Sequence, residues 1–350
     1  MTSSASWPSI LTTLLEREDL SISEATWAMR RIMHGEATDA QIAGFLLALR
    51  SKGETVNEIV GFRDAVLENA LPLPVNPMAV DIVGTGGDRV GTVNISTMAS
   101  VVVAASGVPV IKHGNRAASS ASGASDVLGA LGIPLDMHET RVAEVLDETG
   151  ITFAYASHFH PGFRHAAKVR GELAVPTVFN FLGPLCNPAR AEANALGVAN
   201  LKLVPLFVGV FQTRGATALV FRGDDGLDEL TTTGHSHIWE VTRGAVTEHD
   251  LNPVDLGLPI VELAELIGGD PEHNARIARE TLSGATGPVR DIVLLNAAAG
   301  LVAFDLANDP AQALLPIVER FRARMATAAE TIDSGAAIAK LDQWVEAANR

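Results

Sequence analysis

A proline-rich segment near the amino end is the sequence feature that most restricts how this chain can fold. Residues 71–77 (LPLPVNP) hold three prolines, and proline lacks the backbone donor that a helix or a central strand requires. Before this segment apolar residues recur at helical spacing, whereas after it short apolar runs alternate with helical patterns. We therefore expect an α/β protein with a small helical domain over residues 1–74, followed by a larger α/β domain built on a mainly parallel sheet.

Local signals predict individual helices and strands. Thr38 with Gln41, and Thr55 with Glu58, form the capping-box pattern that opens a helix, and they predict helices over 42–49 and 59–67. The segment 160–188 has a helical and then a loop-like pattern. We expect it to cross back to the helical domain, so that the α/β domain comprises 75–159 and 189–350. Further patterns predict strands at 80–83, 108–111, 151–154 and 218–221, helices at 96–106, 141–148 and 204–213, a surface hairpin at 239–246, and an alanine-rich helical tail from Asp291.

Composition excludes several classes of protein. The 350 residues are 47% hydrophobic, which argues against disorder, and the formal net charge of −15 argues against a protein that coats nucleic acid or an anionic membrane. The apolar stretches 98–110 and 292–304 are too short to span a bilayer, and no signal peptide is evident. The single cysteine, Cys186, rules out an internal disulfide framework and a cysteine zinc cluster. We expect a cytoplasmic protein.

A glycine-rich loop after the first predicted strand is the strongest local signal for a ligand. Residues 81–88 (DIVGTGGD) end a strand with glycines, which let backbone N–H groups approach phosphate oxygens. The loop lacks the third glycine of the dinucleotide fingerprint and the Gly-Lys-Ser/Thr ending of a P-loop. A glycine loop of this kind is a tight turn about as often as a ligand site. Asp88 favours a ligand slightly, because a carboxylate beside a phosphate implies a metal ion between them.

The next segments extend this signal. Residues 92–97 (TVNIST) precede a helix, where Asn, Ser and Thr serve as caps or, with the helix amino terminus, bind an anion. Residues 112–120 (KHGNRAASS) follow the second predicted strand with positive charge and hydrogen-bond donors. No Asp or Glu occurs from Arg89 to Ser125, although the chain is strongly acidic. This window is where we expect a polyphosphate to bind.

A second basic segment and an acidic pair complete the candidate site. Residues 158–172 carry three histidines, two arginines and a lysine against one acid. His158 and His160 have the spacing of metal ligands, but without a third ligand nearby we favour a polar loop or substrate contact. Arg170 suits a bidentate grip on a carboxylate, although an exposed helical arginine is the plainer interpretation. Asp228 and Glu229 follow the strand 218–221 and suit Mg²⁺, with a solvated acidic turn as the alternative.

Taken in order, these motifs resemble the anthranilate phosphoribosyltransferase family. The resemblance is carried by VGTGGD (83–88), NIST (94–97), KHGNR (112–116), VRGEL (169–173), FNFLGPLCNPA (179–189) and GLDEL (226–230). It implies a fold like that of nucleoside phosphorylases and phosphoribosyltransferases, with substrates between the two domains and a homodimer formed through the helical domain. The implied reaction transfers the phosphoribosyl group of phosphoribosyl pyrophosphate (PRPP) to the amine of anthranilate, in tryptophan biosynthesis. Two Mg²⁺ ions per site are implied as cofactors.

The resemblance also implies a set of site residues. Anthranilate contacts map to Gly84, His113, Asn115, Arg170 and Pro184, and metal ligands map to Ser96, Asp228 and Glu229. No general base is assigned, because the amine of anthranilate is already neutral, so catalysis rests on positioning and on stabilising the leaving pyrophosphate. PRPP contacts map to Gly84, Gly87, Asp88, Thr92, Asn94, Ile95, Ser96, Thr97, Lys112, His113, Gly114, Asn115, Arg116, Ala117, Ala118, Ser119, Ser120 and Ala124.

Four positions depart from the commonest pattern of the family. Arg89 stands where the loop often has glycine, Val93 replaces a frequent Phe, Ala124 replaces a serine that often contacts the phosphoribosyl group, and residues 174–176 (AVP) replace Gly-X-Arg. These departures bear on loop mobility and on one hydrogen bond rather than on the activity.

Two other functions compete with this interpretation. A pyrimidine nucleoside phosphorylase has a related fold, but its phosphate loop is similar to KHSTGG, unlike DIVGTG at 81–86. The acidic pair Asp228-Glu229 also favours a magnesium-dependent substrate. A non-catalytic phosphosugar-binding regulator is the second alternative. The presence of Asp88, Ser96, Arg170, Asp228 and Glu229 argues against it.

Overall fold

The computed structural model describes residues 5–115 and 122–350. Within this part of the chain no helix is long and apolar enough to cross a membrane. The helices are α1 (Trp7–Leu15), α2 (Ile22–Met33), α3 (Asp39–Lys52), α4 (Val56–Glu68), α5 (Ile95–Ala105), α6 (Ala124–Ala130), α7 (Glu139–Thr149), α8 (Ala156–Phe159), α9 (Arg164–Leu173), α10 (Val204–Arg214), α11 (Pro271–Leu282), α12 (Pro288–Asn308), α13 (Ile317–Asp333) and α14 (Ala336–Ala348). The strands are β1 (Val80–Gly84), β2 (Val110–Gly114), β3 (Ile151–Tyr155), β4 (Ala193–Gly197), β5 (Thr217–Gly223), β6 (Ser236–Thr242) and β7 (Ala245–Leu251).

The seven strands form one sheet in the order β3-β2-β1-β4-β5-β6-β7. Neighbours from β3 to β5 pair in parallel, and β6 and β7 add an antiparallel edge. The predicted small helical domain and mainly parallel sheet are therefore confirmed. The hairpin predicted at 239–246 is the turn region of the longer β6–β7 pair, which continues the sheet.

Capping explains why the first helices begin where they do. Thr38 accepts a hydrogen bond from the backbone of Gln41, and Thr55 does the same for Glu58, so both predicted capping boxes are confirmed. Glu58 also accepts from Leu20 N at 3.0 Å and from Lys52 Nζ at 3.0 Å. One buried carboxylate thereby joins the start of α4 to the end of α3 and to the chain before α2.

The alternation of side chains along the strands divides the core into two clusters. On β5, Leu219 and Phe221 belong to a cluster that includes α5 and α12, whereas Ala218 and Val220 belong to the cluster that includes α1 to α4 and α10. Helix α9 packs against α2 and α3, and its buried Ala166 lies in this second cluster. The sheet is thus covered on both faces, as parallel strands require.

Two predictions about strands need correction. The structure places Lys112, His113 and Gly114 within β2 rather than in the loop after it, because their polar groups find partners inside the protein. Strand β4 was not predicted, because its sequence ANALG is mostly small residues and has no β-branched side chain.

Candidate active site

The predicted site residues gather at the carboxyl-terminal edge of the sheet. The loop 85–94 follows β1, Asn115 follows β2, and the acidic loop 224–235 follows β5. Strand β4 lies between β1 and β5 and ends at Gly197, which pairs with Gly84. In open α/β sheets ligands bind outside the carboxyl ends of the strands, so this edge is the candidate active site.

Two glycines make room for the acidic pair. A side chain added to Gly84 would collide with the carboxylate of Asp228, and one added to Gly197 would collide with the Asp228 backbone carbonyl. The Gly86 amide then donates to Asp228 Oδ2 at 2.6 Å. The glycine loop and the acidic loop, 142 residues apart in sequence, therefore meet at the carboxylate of Asp228.

The acidic pair is short of positive charge. Burial, and then the neighbouring Asp88, raises the pKa of Asp228 to about 7. Burial, followed by Asp228, raises the pKa of Glu229 well above its usual value, and Lys112 only partly offsets this. No group of three or more His, Cys, Asp or Glu in residues 5–115 and 122–350 has the arrangement of a complete metal site. Mg²⁺ commonly takes one or two carboxylates and completes its shell with water and phosphate oxygens, so Asp228 and Glu229 fit that ion.

Lys112 supports the site from within the sheet. Its side chain is 1% exposed, and its Nζ donates to the carbonyl of Ile82 at 2.6 Å and to Ser96 Oγ at 3.1 Å. Burial lowers the pKa of Lys112, while nearby acids oppose that shift. The ammonium group thus fixes Ser96, a predicted metal ligand, at the amino terminus of α5.

The loop between β1 and α5 has the backbone that its glycines permit. Gly86, Gly87 and Gly91 have φ values of +68°, +88° and +77°. Arg89 has φ +61°, in the left-handed region that glycine adopts more easily, which explains why glycine is common there in the resembling family. Asp88 Oδ1 accepts from Val90 N at 3.1 Å and shapes the turn.

The end of this loop is held by a distant segment. Thr92 pairs with Ile267 in an isolated β-bridge. Asn94 does not cap α5 with its side chain. Its Nδ2 donates to Ser122 O at 3.2 Å, and its Oδ1 accepts from Asn274 Nδ2 at 2.9 Å. Ile95 and Thr97 follow as buried residues of α5.

The remaining PRPP candidates lie around the end of β2. Asn115 Oδ1 accepts from Ser157 Oγ at 3.0 Å, and Ala124 opens α6 close to Gly114. The predicted contacts Arg116, Ala117, Ala118, Ser119 and Ser120 lie outside the described residues.

A row of rings connects β2 to α9. His113 Nε2 lies 3.2 Å from His160 Nε2, and the His160 ring stacks on Phe163 with centroids 5.3 Å apart. Phe163 meets Phe179 edge to face at 5.5 Å, and the Arg170 guanidinium lies 5.3 Å from the centroid of Phe179. The short turn Gly183–Leu185, which contains Pro184, packs against β2. The structure therefore brings together His113, Pro184 and Arg170, which the sequence separates.

The histidines of this row are neutral at physiological pH. Burial, and then His160, holds the pKa of His113 well below its usual range. Burial lowers the pKa of His160 to about 4. His158 turns away to Glu139, with Nε2 and carboxylate 3.2 Å apart, so His158 and His160 do not form a metal pair.

Arg170 is a cation without an anionic partner among the described residues. It is half-buried, burial lowers its pKa, and it makes no ion pair with any residue that the structure describes. A partly desolvated guanidinium over an aromatic ring favours a planar anion as its partner.

Sequence reasoning missed three supporting residues. Buried Asp81 accepts from His113 N at 3.2 Å and from Asn187 Nδ2 at 2.8 Å, and Asn274 holds Asn94 as described above. Burial raises the pKa of Asp81 to about 6. An acid inside the apolar run of β1 was the available signal for Asp81, whereas the role of Asn274 follows only from the fold.

Comparisons with known proteins agree with this geometry. The glycosyl transferase family helical bundle domain matches residues 8–70, and the glycosyl transferase family a/b domain matches residues 76–338. The anthranilate phosphoribosyltransferases of Leifsonia xyli subsp. xyli and Clavibacter michiganensis subsp. michiganensis are 70% and 65% identical, each over 99% of both chains.

Solved structures show the same similarity. Anthranilate phosphoribosyltransferase from Thermus thermophilus has a TM-score of 0.89 and 41% identity, with 97% of this chain and 99% of that chain covered. The Saccharomyces cerevisiae enzyme in complex with PRPP and Mg has a TM-score of 0.87 and 28% identity, with 99% of each chain covered. Its sequence, its fold and the arrangement of residues at the sheet edge agree, and the chain belongs to the anthranilate phosphoribosyltransferase family.

Proposed function

We propose that the cleft at the carboxyl-terminal sheet edge is where this chain transfers the phosphoribosyl group of PRPP to the amine of anthranilate and releases pyrophosphate. The observation that carries the proposal is the separation of charge within one site. Arg170 is an unpaired cation beside a row of rings, and Asp228 with Glu229 forms an acidic pair short of cations. An aromatic carboxylate and a magnesium-bound pyrophosphate would satisfy these two needs.

PRPP is proposed to lie along the loop after β1 and the start of α5. Gly86 and Gly87 bear no side chain, and since the Gly86 amide already donates to Asp228, the N–H groups that follow it in the loop are the ones that can approach a phosphate. Ser96 and Thr97 add hydroxyls at the amino end of α5, and the hydroxyl of Thr97 has no partner among the described residues. These groups can donate hydrogen bonds to phosphate oxygens and so hold the anion without a positive side chain.

The metal is proposed to lie between the acidic pair and the pyrophosphate. The fit rests on two carboxylates whose pKa values are raised by burial and then by a neighbouring acid, which is Asp88 for Asp228 and Asp228 for Glu229, together with Ser96 Oγ held by Lys112. Magnesium, when bound, would neutralise the charge that develops on the leaving pyrophosphate. Two ions per site are part of this proposal, and the similar yeast structure is a complex with PRPP and Mg.

Anthranilate is proposed to bind with its carboxylate on Arg170 and its ring against the row of aromatic side chains. His113 and His160 are neutral and buried, so they present polar ring edges without a competing charge. The chain then orients the amine toward the sugar and excludes water. No side chain needs to remove a proton from the amine before attack, because it is neutral.

A homodimer through the helical domain, here residues 1–74 with 160–188, is proposed in addition. Leu15 on α1 is 74% exposed and Leu47 on α3 is 44% exposed. Leu11 packs against Gly44 between these helices, and Leu15 and Leu47 each lie one helical turn further along, so that the two exposed leucines share one face. Such a face suits a second copy of the chain.

The α/β domain would comprise 75–159 and 189–350, and we expect the protein to act in the cytoplasm.

The test of the carboxylate site is Arg170→Ala, with Arg164→Ala on the exposed face of the same helix as its control. Loss of a charge-assisted bidentate contact should raise the KM for anthranilate by about tenfold or more, with the KM for PRPP changed far less. The control should leave both values unchanged. Unaltered anthranilate kinetics in Arg170→Ala would show that the carboxylate binds elsewhere.

A further inference from the structure

A cavity lies at the end of the sheet opposite the candidate active site. It has a volume of about 630 Å³ and is lined by the end of α4, the proline-rich segment 71–77 and residues 188–192, together with Arg214. Glu192 N donates to Pro77 O at 2.9 Å just before β4 and β1 begin. Because each of these strands has five residues, the cavity lies roughly 15 Å from the catalytic edge.

Two arginines line this cavity, and a third lies close to them. Arg190 and Arg214 line it, and Arg63 on α4 acts electrostatically on both. Arg63 is 6% exposed, and its Nε is buried without a hydrogen-bond partner in the described chain. The side chains of Arg190 and Arg214 make no ion pair or hydrogen bond with any described residue.

The nearby acids do not balance these charges. Asp64 is bound by Arg63 at 2.6 Å, and Glu68 is already bound by Arg30 at 2.5 Å. Glu192 lines the cavity but is exposed to solvent. Burial, and then the charge of Arg63, lowers the pKa of Arg214 to about 10, which shows that the cluster holds its positive charge at a cost.

We propose that this cavity binds a small phosphate monoester, with the phosphate on Arg190 and Arg214 and the organic part against Leu67, Leu71 and Leu73. Asp64 is paired with Arg63 and Glu68 with Arg30, whereas the two guanidinium groups that line the cavity, those of Arg190 and Arg214, are left without an ion pair and match a phosphate dianion. The leucines and prolines give the cavity an apolar wall, and its volume is in the range of small-molecule sites. This site is separate from the PRPP site, which lies at the opposite strand ends.

The experiment measures binding of phenyl phosphate and of inorganic phosphate to the full chain by calorimetry. Saturating PRPP and Mg²⁺, without anthranilate, occupy the active site. We expect one equivalent of phenyl phosphate per chain, bound several-fold more tightly than inorganic phosphate because of the apolar wall. Equal affinity of the two probes would overturn the monoester assignment, and absence of any binding under these conditions would overturn the site.

Substitutions locate the binding. The double variant Arg190→Gln with Arg214→Gln should weaken phenyl phosphate by about tenfold or more. Arg243→Gln, an exposed arginine in the β6–β7 turn, is the matched control and should bind as the wild type does. If the double variant does not fold, the exposed Arg190→Gln alone should weaken binding by about threefold. Wild-type affinity in a folded variant would overturn the proposal. Transferase activity is measured in the same variant, and its retention distinguishes a failure of this proposal from a failure of the catalytic assignment.

Discussion

At the scale of single residues, the backbone conformation shows which positions of this chain favour glycine. Ala174 ends α9 with φ +50°, and Arg89 has φ +61° in the loop after β1. Both stand where the family often has glycine, and both occupy the left-handed region that costs a side chain about 1 kcal/mol or more. Two of the four departures noted in the sequence therefore fall on strained positions.

Replacing Ala174 by glycine should relieve this strain. We expect Ala174→Gly to raise the free energy of unfolding by up to about 1 kcal/mol in urea denaturation. Ala167→Gly, in an exposed and regular position of the same helix, is the control and should lower it by about 1 kcal/mol. A loss of stability in both variants would mean that the left-handed end of α9 is not strained.

His160 should make the protein sensitive to acid. Its folded-state pKa of about 4 lies below its usual value, so the unfolded chain takes up a proton first as the pH falls from about 6.5. Stability is therefore full above that pH and is lost toward pH 4. Between about pH 7 and about pH 5 this histidine accounts for a loss of about 2 kcal/mol.

The comparison is between wild type and His160→Gln, which keeps a polar side chain but does not titrate. Urea unfolding at about pH 7 and about pH 5 should show a smaller acid loss in the variant, by about 2 kcal/mol. An equal loss in both proteins would place the acid sensitivity at other groups.

At the scale of elements, α11 and the segment before it position the loop that is proposed to bind PRPP. Gly268 N donates to Gly91 O at 2.9 Å, Val93 N donates to Leu266 O at 3.0 Å, and Asn274 holds Asn94. Asn274 Oδ1 is itself fixed by Gly269 N at 2.8 Å. The loop thus depends on contacts that its own sequence does not contain.

Removing the side chain of Asn274 should loosen this loop. We expect Asn274→Ala to raise the KM for PRPP by about tenfold while changing the KM for anthranilate little, because the lost hydrogen bond supports only one substrate. Arg276→Ala, exposed on the same helix, should have no such effect. A fall in kcat with both KM values unchanged would assign Asn274 a different role.

The elements also show which parts of the fold a sequence pattern can predict. Capping boxes and apolar runs predicted α3, α4 and most strands, because these signals are local. The predicted end of β2 was wrong, because Lys112 and His113 are residue types typical of a loop. Their partners in the fold are Ile82, Ser96 and Asp81, which lie far away in sequence. In the site, motifs predicted Asp228 and Arg170, whereas Asp81 and Asn274 act through contacts between distant segments.

At the scale of the whole molecule, the acidic net charge and the local site are compatible. The chain carries a net charge of −15, yet Arg170 at one end of the sheet and Arg190 with Arg214 at the other lack described counterions. Net charge describes the average surface, and these clusters are local.

The apolar face of α1 and α3 makes a further prediction at this scale. Leu47→Glu should convert a dimer to a monomer in size-exclusion chromatography with light scattering, because it places a charge in the proposed interface. Leu201→Glu, at a 56% exposed leucine outside the helical domain, is the control and should remain dimeric. A dimer in both variants, or a monomeric wild type, would refute this interface.

The most direct test of the catalytic assignment is the fluorescence of anthranilate mixed with the purified chain. It should fall only when PRPP and Mg²⁺ are both present, and Asp228→Asn with Glu229→Gln should raise the Mg²⁺ concentration required, while the exposed Asp224→Asn should not. Fluorescence that stays constant with folded wild-type protein and both components, or an unaltered Mg²⁺ requirement in the double variant, would contradict the account.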